Sequence, residues 1–254
     1  MRVLILGAAL ALAACTTAGD TATTEAAPVT ANAAHIAAAV ADPRRPDADR
    51  ERDQFRHPAE MLAFADISGG EVVADLIPGG GYFTRLFAVA VGDEGRVFAT
   101  INPPNPEAQR PPAVIAVAGE YANVDVNATP LNTMTFPQPL DVAWTAQNYH
   151  DMLIPRFGLD AAAINRAIFN GLKPGGYYIV IDHSAAAGTD VAVADQLHRI
   201  NQDIVRQQIE AVGFVYDGEI QVLRNAEDTR SVGVFDESIR GRTDQFAMRF
   251  RKPG

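Results

Sequence analysis

The sequence predicts an α/β fold in which helices cover both faces of a mostly parallel sheet. Apolar runs of strand length alternate with stretches that carry apolar residues at helical spacing. Parallel neighbours need crossover connections, which the helices supply. Two late segments, "FVYDGEIQVL" and "QFAMRFRK", alternate apolar with polar residues and predict an antiparallel pair that closes the sheet.

The first half of the domain contains two predicted strands and two predicted helices. "HPAEMLAFADI" has apolar residues at helical spacing and predicts a helix that ends before Gly69. "EVVADLI" predicts the first strand, "YFTRLFAVAVG" an amphipathic helix that ends at Gly92, and "GRVFATIN" the second strand.

The second half continues the alternation. Residues 121–126 and 140–147 predict the third and fourth strands, joined by a proline-containing segment rather than a helix. A helix over residues 159–172 is expected to end at "LKPGG", and "YYIVIDH" predicts the fifth strand. "DQLHRINQDIVRQQIEAVG" predicts one long amphipathic helix. With the closing pair, the sheet is expected to have seven strands.

The N-terminus has the pattern of an export signal. Arg2 precedes a short apolar stretch and two small residues, which predicts a signal peptide over residues 1–14. "LAAC" resembles the bacterial lipobox, so Cys15 is expected to be lipidated and to anchor the mature protein to a membrane. An ordinary signal peptide followed by an unrelated cysteine is the alternative. The expected location is the cell envelope, on the periplasmic face of the outer membrane.

The rest of the chain divides into a tether and one domain. Alanine and threonine dominate the segment after Cys15, so residues 15–42 are expected to be a flexible tether and residues 43–254 a single domain. Residues 43–61 are densely and alternately charged, which predicts a solvated helix face or linker. The net charge of −10 argues against a nucleic-acid partner.

A glycine-rich turn follows the first predicted strand in "VADLIPGGGYFTRLFA". The G-x-G-x-x-G dinucleotide fingerprint is absent. The stretch resembles the first motif of class I S-adenosylmethionine-dependent methyltransferases, with Asp75 at the acidic position and Gly79 and Gly81 as the second and third glycines. Glycines permit positive φ and close approach of the ligand, and a carboxylate can accept hydrogen bonds from an amino group. A tight connection without a ligand is the alternative.

Ile77 stands where the family's motif has its first glycine. A β-branched residue does not easily adopt a left-handed conformation. The sequence therefore predicts that the entry to this turn is shaped differently.

Further motifs occur in the family's order along residues 58–253. "PLDVAWTAQNYHDM", "LKPGGYYIVID" and "DQFAMRFRKP" resemble its fourth, fifth and last strands. A narrower likeness, in "IPGGGYFTRLFA", "NYHD", "IDH", "LHRI" and "IRGRTDQFAMRFRKP", links the chain to a group of predicted exported methyltransferases. The resemblance implies a Rossmann-like three-layer methyltransferase fold, S-adenosylmethionine as the cofactor and a small-molecule substrate of unknown identity.

The resemblance also implies a set of cofactor-binding residues. Asn102 stands where the family has an acid that binds the ribose, and its amide oxygen can accept one hydrogen bond without charge assistance. Tyr82 is expected either to stack on the ligand or to pack the start of the helix. The full expected set is Asp75, Gly79, Gly80, Gly81, Tyr82, Asn102 and Asn148.

Three histidines are expected at the ligand side of the sheet. His150 follows the fourth strand, His183 the fifth, and His198 lies on the next predicted helix, each close in sequence to a carboxylate. An imidazole oriented by a carboxylate suits a general base, so His150 is the first candidate and His183 the second, with Asp182 as a catalytic partner. Histidines that only fix loops are the alternative.

Two other functional hypotheses stay open. A cofactor-less methyltransferase fold can serve as a binding or accessory module. A hydrolase or metal-assisted enzyme can use a group formed by His150, Asp182, His183 and His198, although no compact H-x-H or H-x-x-x-H spacing supports a metal and none is expected. A serine hydrolase is disfavoured because no G-x-S-x-G elbow is present.

Overall fold

The computed structural model of the protein describes residues 31–254. The predicted signal peptide, Cys15 and the first half of the predicted tether lie outside the described residues. Within residues 31–254, every helix is too short or too polar to cross a bilayer.

The core of the fold is a seven-stranded sheet with the order β3-β2-β1-β4-β5-β7-β6. Strand β7 is antiparallel to both of its neighbours, and the pairs among β1 to β5 are parallel. The strands are β1 (Val72–Leu76), β2 (Arg96–Ile101), β3 (Val124–Ala128), β4 (Leu140–Ala146), β5 (Leu172–His183), β6 (Val215–Ile220) and β7 (Gln245–Arg251). The predicted sheet with its antiparallel closing strand is therefore confirmed.

Helices form a layer on each face of this sheet. They are α1 (Ala31–Ala41), α2 (Asp47–Arg50), α3 (Asp53–Arg56), α4 (Pro58–Phe64), α5 (Tyr82–Val91), α6 (Val114–Glu120), α7 (Ala161–Gly171), α8 (Ala192–Leu197) and α9 (Gln202–Glu210). Neighbouring strand residues point to opposite faces: Val73 packs in the core under α1, α4 and α5, and Ala74 packs in the core under α7 and α9. The three predicted layers are thus present, with α6 as an additional helix.

Strand β5 begins earlier than the sequence predicted. Leu140 pairs with Leu172, but Val142 pairs with Tyr177, so extra residues of β5 bulge out between these two pairs. Gly175, with φ of 85°, supplies the left-handed residue that the bulge requires. The "LKPGG" segment is therefore a bulged strand start rather than a loop.

The single long helix predicted before β6 is wrong. The structure has two helices, α8 and α9, separated by residues 198–201. His198 has φ of 53°, and Ile200 forms a parallel bridge with Ser184. Arg199 follows α8 in the chain, and its buried guanidinium donates hydrogen bonds to Asp228 and to the backbone oxygens of Ser184 and Val232. These distant partners outweigh the local helical pattern.

Helix α1 extends the packed fold upstream of residue 43. Ile36 and Ala39 are buried in the same core as α5, and Asp42 accepts a hydrogen bond from the Tyr121 hydroxyl at 2.8 Å. The C-terminal end of the segment predicted as a tether is therefore helical and packed.

Candidate functional site

A cavity of about 180 Å³ lies at the carboxyl ends of β1 and β4. From β1 the strand order continues through β2 to β3 on one side, and from β4 it continues to β5 on the other. The boundary between these two parallel strands is therefore the switch point at which α/β folds bind ligands. The cavity is lined by Arg52, Arg56, Asp75, Ile77, Pro78, Gly79, Gly80, Tyr82, Phe83, Ala146, Gln147 and Asn148. Five of the residues predicted to hold a cofactor are in this set: Asp75, Gly79, Gly80, Tyr82 and Asn148.

Asp75 places a buried carboxylate at the cavity wall. It is 3% exposed, and its Oδ2 accepts a hydrogen bond from the Thr84 hydroxyl at 2.6 Å. Burial raises the pKa of Asp75 to about 7, and this effect outweighs the Thr84 hydrogen bond and the positive charge of Arg56. A cationic ligand group at this position would stabilise the ionised form.

The glycine turn is open at its centre and closed at its end. A Cβ added at Gly79 or Gly80 would meet no atom within 4 Å. A Cβ at Gly81 would lie 2.7 Å from the Val117 Cγ2, and Gly81 has φ of 79°. The turn therefore offers bare backbone to the cavity while Gly81 fits α5 against α6.

Replacing Gly81 with alanine should destabilise the fold by about 2–3 kcal/mol, because it combines a left-handed backbone with a steric clash. Gly80→Ala is the matched control, since its backbone is outside the left-handed region and its Cβ would meet open space. Urea denaturation of both variants measures the difference. Equal free energies of unfolding for the two variants would contradict the need for glycine at position 81.

Ile77 adopts the conformation that the sequence argued against. Its φ is 53°, so the turn has the left-handed residue that a glycine would supply, and the predicted difference in shape is wrong. The Ile77 N–H donates to the Thr100 carbonyl at 2.9 Å, and its carbonyl accepts from the Asn148 amide at 3.1 Å. These bonds hold a β-branched residue in a conformation that costs on the order of 1–2 kcal/mol.

Of the two asparagines predicted to bind the cofactor, Asn148 lies at the cavity and Asn102 does not. Asn148 lines the cavity and bridges the ends of β1 and β4, because its amide also donates to the Ala146 carbonyl at 2.7 Å. Asn102 is outside the cavity lining, and its Oδ1 accepts from the Leu131 backbone N–H at 3.0 Å. The position predicted to contact a ribose therefore holds the loop after β3 instead.

Two arginines, Arg52 and Arg56, line the cavity on the side of α3. The Arg56 guanidinium donates to Gln147 Oε1 at 2.6 Å and lies 4.7 Å from the centre of the Tyr82 ring. Burial lowers the pKa of Arg56 to about 10, so this side chain is still cationic at neutral pH. Tyr82 donates its hydroxyl proton to Asp53 at 2.5 Å, and Asp53 also pairs with Arg45.

The charged segment over residues 43–61 thus has two sides: much of it is exposed, as predicted for a solvated face, and Arg52 and Arg56 line the cavity. Sequence reasoning missed Arg52, Arg56 and Gln147. The spacing of Arg52 and Arg56, four residues apart in a helical segment, places them on one side and was the available signal. Their partners are distant in sequence, so the local charge pattern did not reveal them.

The predicted histidine group forms beside the cavity, at the ends of β4 and β5. His150 Nδ1 lies 2.8 Å from Asp182 Oδ1, and the His150 backbone N–H donates to Asp182 Oδ2 at 2.7 Å. Asp182 is fully buried. Burial favours neutral forms of both groups, but their mutual attraction prevails, so the pKa of His150 is raised and that of Asp182 is lowered.

His183 and His198 complete the group. His183 Nδ1 lies 2.6 Å from the Thr243 hydroxyl, and burial lowers the pKa of His183 to about 4, which leaves its ring neutral at pH 7. His198 Nδ1 lies 3.3 Å from His150 Nε2. The three histidines are brought together as predicted, but the lining of the Asp75 cavity includes none of them.

No family model matches the chain. The chain is 31% identical over 151 residues to the ubiquinone/menaquinone biosynthesis C-methyltransferase of Hydrogenovibrio crunogenus. That match covers 58% of this chain and 54% of the relative, so the chain spans about half the length of the curated relative.

Solved structures share the whole fold at low sequence identity. A SAM-dependent methyltransferase from Aquifex aeolicus has a TM-score of 0.56 at 16% identity, over 82% of this chain and 98% of that one. An S-adenosylmethionine-dependent methyltransferase from Mesorhizobium loti has a TM-score of 0.55 at 15% identity, over 79% and 99%. The chain has the fold of these proteins.

Proposed function

We propose that the protein is an S-adenosylmethionine-dependent methyltransferase that acts on a small molecule. The observation that carries this proposal is the buried carboxylate of Asp75 beside an open glycine turn, at the switch point of a methyltransferase-like sheet. The similar C-methyltransferase supports the same reaction class.

The residues around the cavity fit the amino-acid part of this cofactor. Asp75 can pair with an ammonium group, and the guanidinium groups of Arg52 and Arg56 can pair with a carboxylate. The backbone at Gly79 and Gly80 is free of neighbours and allows close approach. When bound, S-adenosylmethionine supplies an electrophilic methyl group.

Within this proposal, His183 places a neutral imidazole on the substrate side, where it positions the methyl acceptor by a hydrogen bond rather than acting as a strong base. Its ring is neutral at pH 7, and the nearby charge of Arg56 contributes to lowering its pKa. Strand β7 places Gln245 opposite His183, and Gln245 accepts from the Gln147 amide at 3.0 Å. Because Gln147 lines the cavity, these contacts through Gln245 support a position of His183 close to the cavity. The Asp182 carboxylate faces His150 Nδ1 and orients the His150 ring.

The envelope location is part of the proposal. The signal pattern over residues 1–14 and the lipobox-like Cys15 support an exported protein anchored by lipid on the periplasmic face of the outer membrane.

A second candidate is a binding module that has lost the cofactor. The cavity, at about 180 Å³, is smaller than the roughly 300–1,000 Å³ typical of ligand pockets. Asn102 is already bonded to Leu131, and the Arg56 side chain is already bonded to Gln147.

Titration calorimetry with S-adenosylmethionine and S-adenosylhomocysteine separates the candidates. The methyltransferase should bind both, and its affinity should rise several-fold between about pH 6 and about pH 7.5, because binding to an ammonium group requires Asp75 to be ionised. Repeating the titration in buffers of different ionisation enthalpy should detect the released proton. No heat at millimolar concentrations of either ligand would leave the binding module as the remaining candidate.

A further inference from the structure

Three donor atoms beside the cavity are arranged as the ligands of a metal ion. We define the His–Asp–His group as His150, Asp151 and His198. His150 Nε2 lies 3.3 Å from Asp151 Oδ1 and 3.3 Å from His198 Nδ1, and His198 Nδ1 lies 3.8 Å from Asp151 Oδ1. These donor atoms all lie within 4.8 Å of one another.

The distances match the bond lengths of zinc. The equidistant point in the plane of the three atoms lies about 2.0 Å from each, and a tetrahedral position just outside that plane lies about 2.1 Å from each, which is within the usual range of Zn–N and Zn–O bonds. The edges between ligands around a tetrahedral ion with bonds of about 2.1 Å are about 3.4 Å, whereas octahedral ligands would lie closer together. Two imidazoles and one carboxylate form a ligand set known for catalytic zinc.

The protonation of the imidazoles also favours a cation. His150 Nδ1 faces the Asp182 carboxylate and carries the proton in the neutral ring, so Nε2 presents its lone pair to the group. A carboxylate behind a ligating histidine in this way fixes the tautomer and the ring orientation. The contact of 3.3 Å between His198 Nδ1 and His150 Nε2 is a hydrogen bond when Nδ1 carries the proton of His198, and with that proton on Nε2 both nitrogens offer a lone pair to a cation.

The charge of the nearby carboxylates and the exposure of the ligands to solvent also suit a bound cation. Within residues 31–254, the structure pairs neither Asp151 nor Asp182 with a lysine or arginine at ion-pair distance. A divalent cation would balance these two carboxylates. The side chains of Asp151 and His198 are 27% and 23% exposed, which gives an ion a route from solvent.

We propose that the His–Asp–His group is a zinc site with three protein ligands and one exchangeable position. That position is suited to water or to an oxygen donor of an anionic ligand. Asp182 is the positioning residue behind His150. The group uses Asp151 in place of the Asp182 and His183 ligands considered from the sequence, because His183 is engaged with Thr243. The proposal does not depend on cofactor binding at Asp75.

The test is zinc binding by the protein purified without a metal-affinity tag and stripped with a chelator. Elemental analysis after dialysis against zinc should give one ion per chain, and titration calorimetry should give a single site. Replacement of zinc by cobalt should produce the strong visible absorption of a four-coordinate ion. His198→Gln and Asp151→Asn should each weaken zinc binding by more than about 100-fold, and Asp182→Asn by about 10–100-fold.

His57→Asn is the matched control. His57 lies 3.5 Å from Glu60 and is partly exposed, so this pair represents an ordinary surface histidine beside a carboxylate. Its backbone is left-handed, which asparagine tolerates. Zinc binding that survives His57→Asn and is lost in His198→Gln supports the site. Absence of a stoichiometric ion, or equal affinity in wild type and His198→Gln with circular dichroism unchanged, overturns it.

Discussion

Replacing Asp75 with asparagine is expected to make the protein more stable at pH 8 by several kcal/mol. The pKa of Asp75 is about 7 in the folded protein against an ordinary value of 3.8, because burial penalises the charged form. Between about pH 4 and pH 7 the folded state therefore holds a proton that the unfolded state has lost. Stability falls as pH rises through this window, and the full penalty is present above pH 7.

The size of the gain follows from the pKa shift. Each pKa unit corresponds to about 1.4 kcal/mol, and Asp75 is 3% exposed, so solvent screening is small. Asparagine removes the charge and keeps a hydrogen-bond acceptor for Thr84. At about pH 4.5, where the carboxyl group is protonated in the folded state and most of the penalty is absent, the difference in stability between the variant and the wild type should shrink to about 1 kcal/mol.

The same substitution should weaken S-adenosylmethionine binding by about 1–3 kcal/mol, the cost of losing a charge-assisted partner. Denaturation at the two pH values and calorimetry measure the two effects. Asp125→Asn is the control, because Asp125 is an exposed carboxylate on strand β3, which is separated from β1 by β2. A variant that is less stable than wild type at pH 8 would refute the buried-charge account. Unchanged affinity would move the cofactor away from Asp75.

The largest loss of stability is expected for Arg199→Met. The Arg199 and Asp228 side chains are 0% and 1% exposed and form two hydrogen bonds of 2.8 and 3.1 Å. Methionine would leave the Asp228 carboxylate buried without its counter-ion, at a cost of about 3–5 kcal/mol. The break between α8 and α9 depends on this arginine, so His198 should also lose its position.

A double variant and the pH dependence identify the cause. Adding Asp228→Asn to Arg199→Met should recover much of the loss, because no charge is then left uncompensated. Although burial alone would raise the pKa of Asp228, the bonds from Arg199 and from backbone N–H groups keep it below 3.8. The contribution of the ion pair is therefore present above about pH 4 and lost as pH falls through the lower folded pKa. An equal loss in the single and double variants at pH 7 would point to packing instead.

Local sequence patterns predicted the sheet, because its central strands are short apolar runs bounded by glycine and proline residues that form turns. Val73 and Ala74 face opposite helical layers, which is the pattern of a strand buried on both sides. The glycines from residue 79 onward, after such a strand, predicted a ligand-binding turn, and the cavity lies beside them. The same logic placed the histidines at one edge, since the carboxyl ends of β4 and β5 are neighbours.

The predictions from sequence that were wrong or incomplete share one physical cause. Each depends on a contact between residues that are far apart in sequence. Ile77 is held in a left-handed conformation by Thr100 and Asn148, and the helical pattern around Arg199 is broken by Asp228. The Arg56 side chain is held at the cavity by its hydrogen bond to Gln147, 91 residues away in sequence. Propensity and charge patterning describe neighbours along the chain, and these contacts belong to the tertiary structure.

The hydrogen bond between Arg56 and Gln147 has a consequence for ligand choice under the proposed function. A molecule that enters the cavity and breaks this bond has to offer the half-buried guanidinium a new partner. A zwitterion with a free carboxylate can do so, whereas an uncharged nucleoside cannot. Discrimination would then begin at the entrance, before any contact with Asp75, and would favour amino-acid conjugates over plain adenosine.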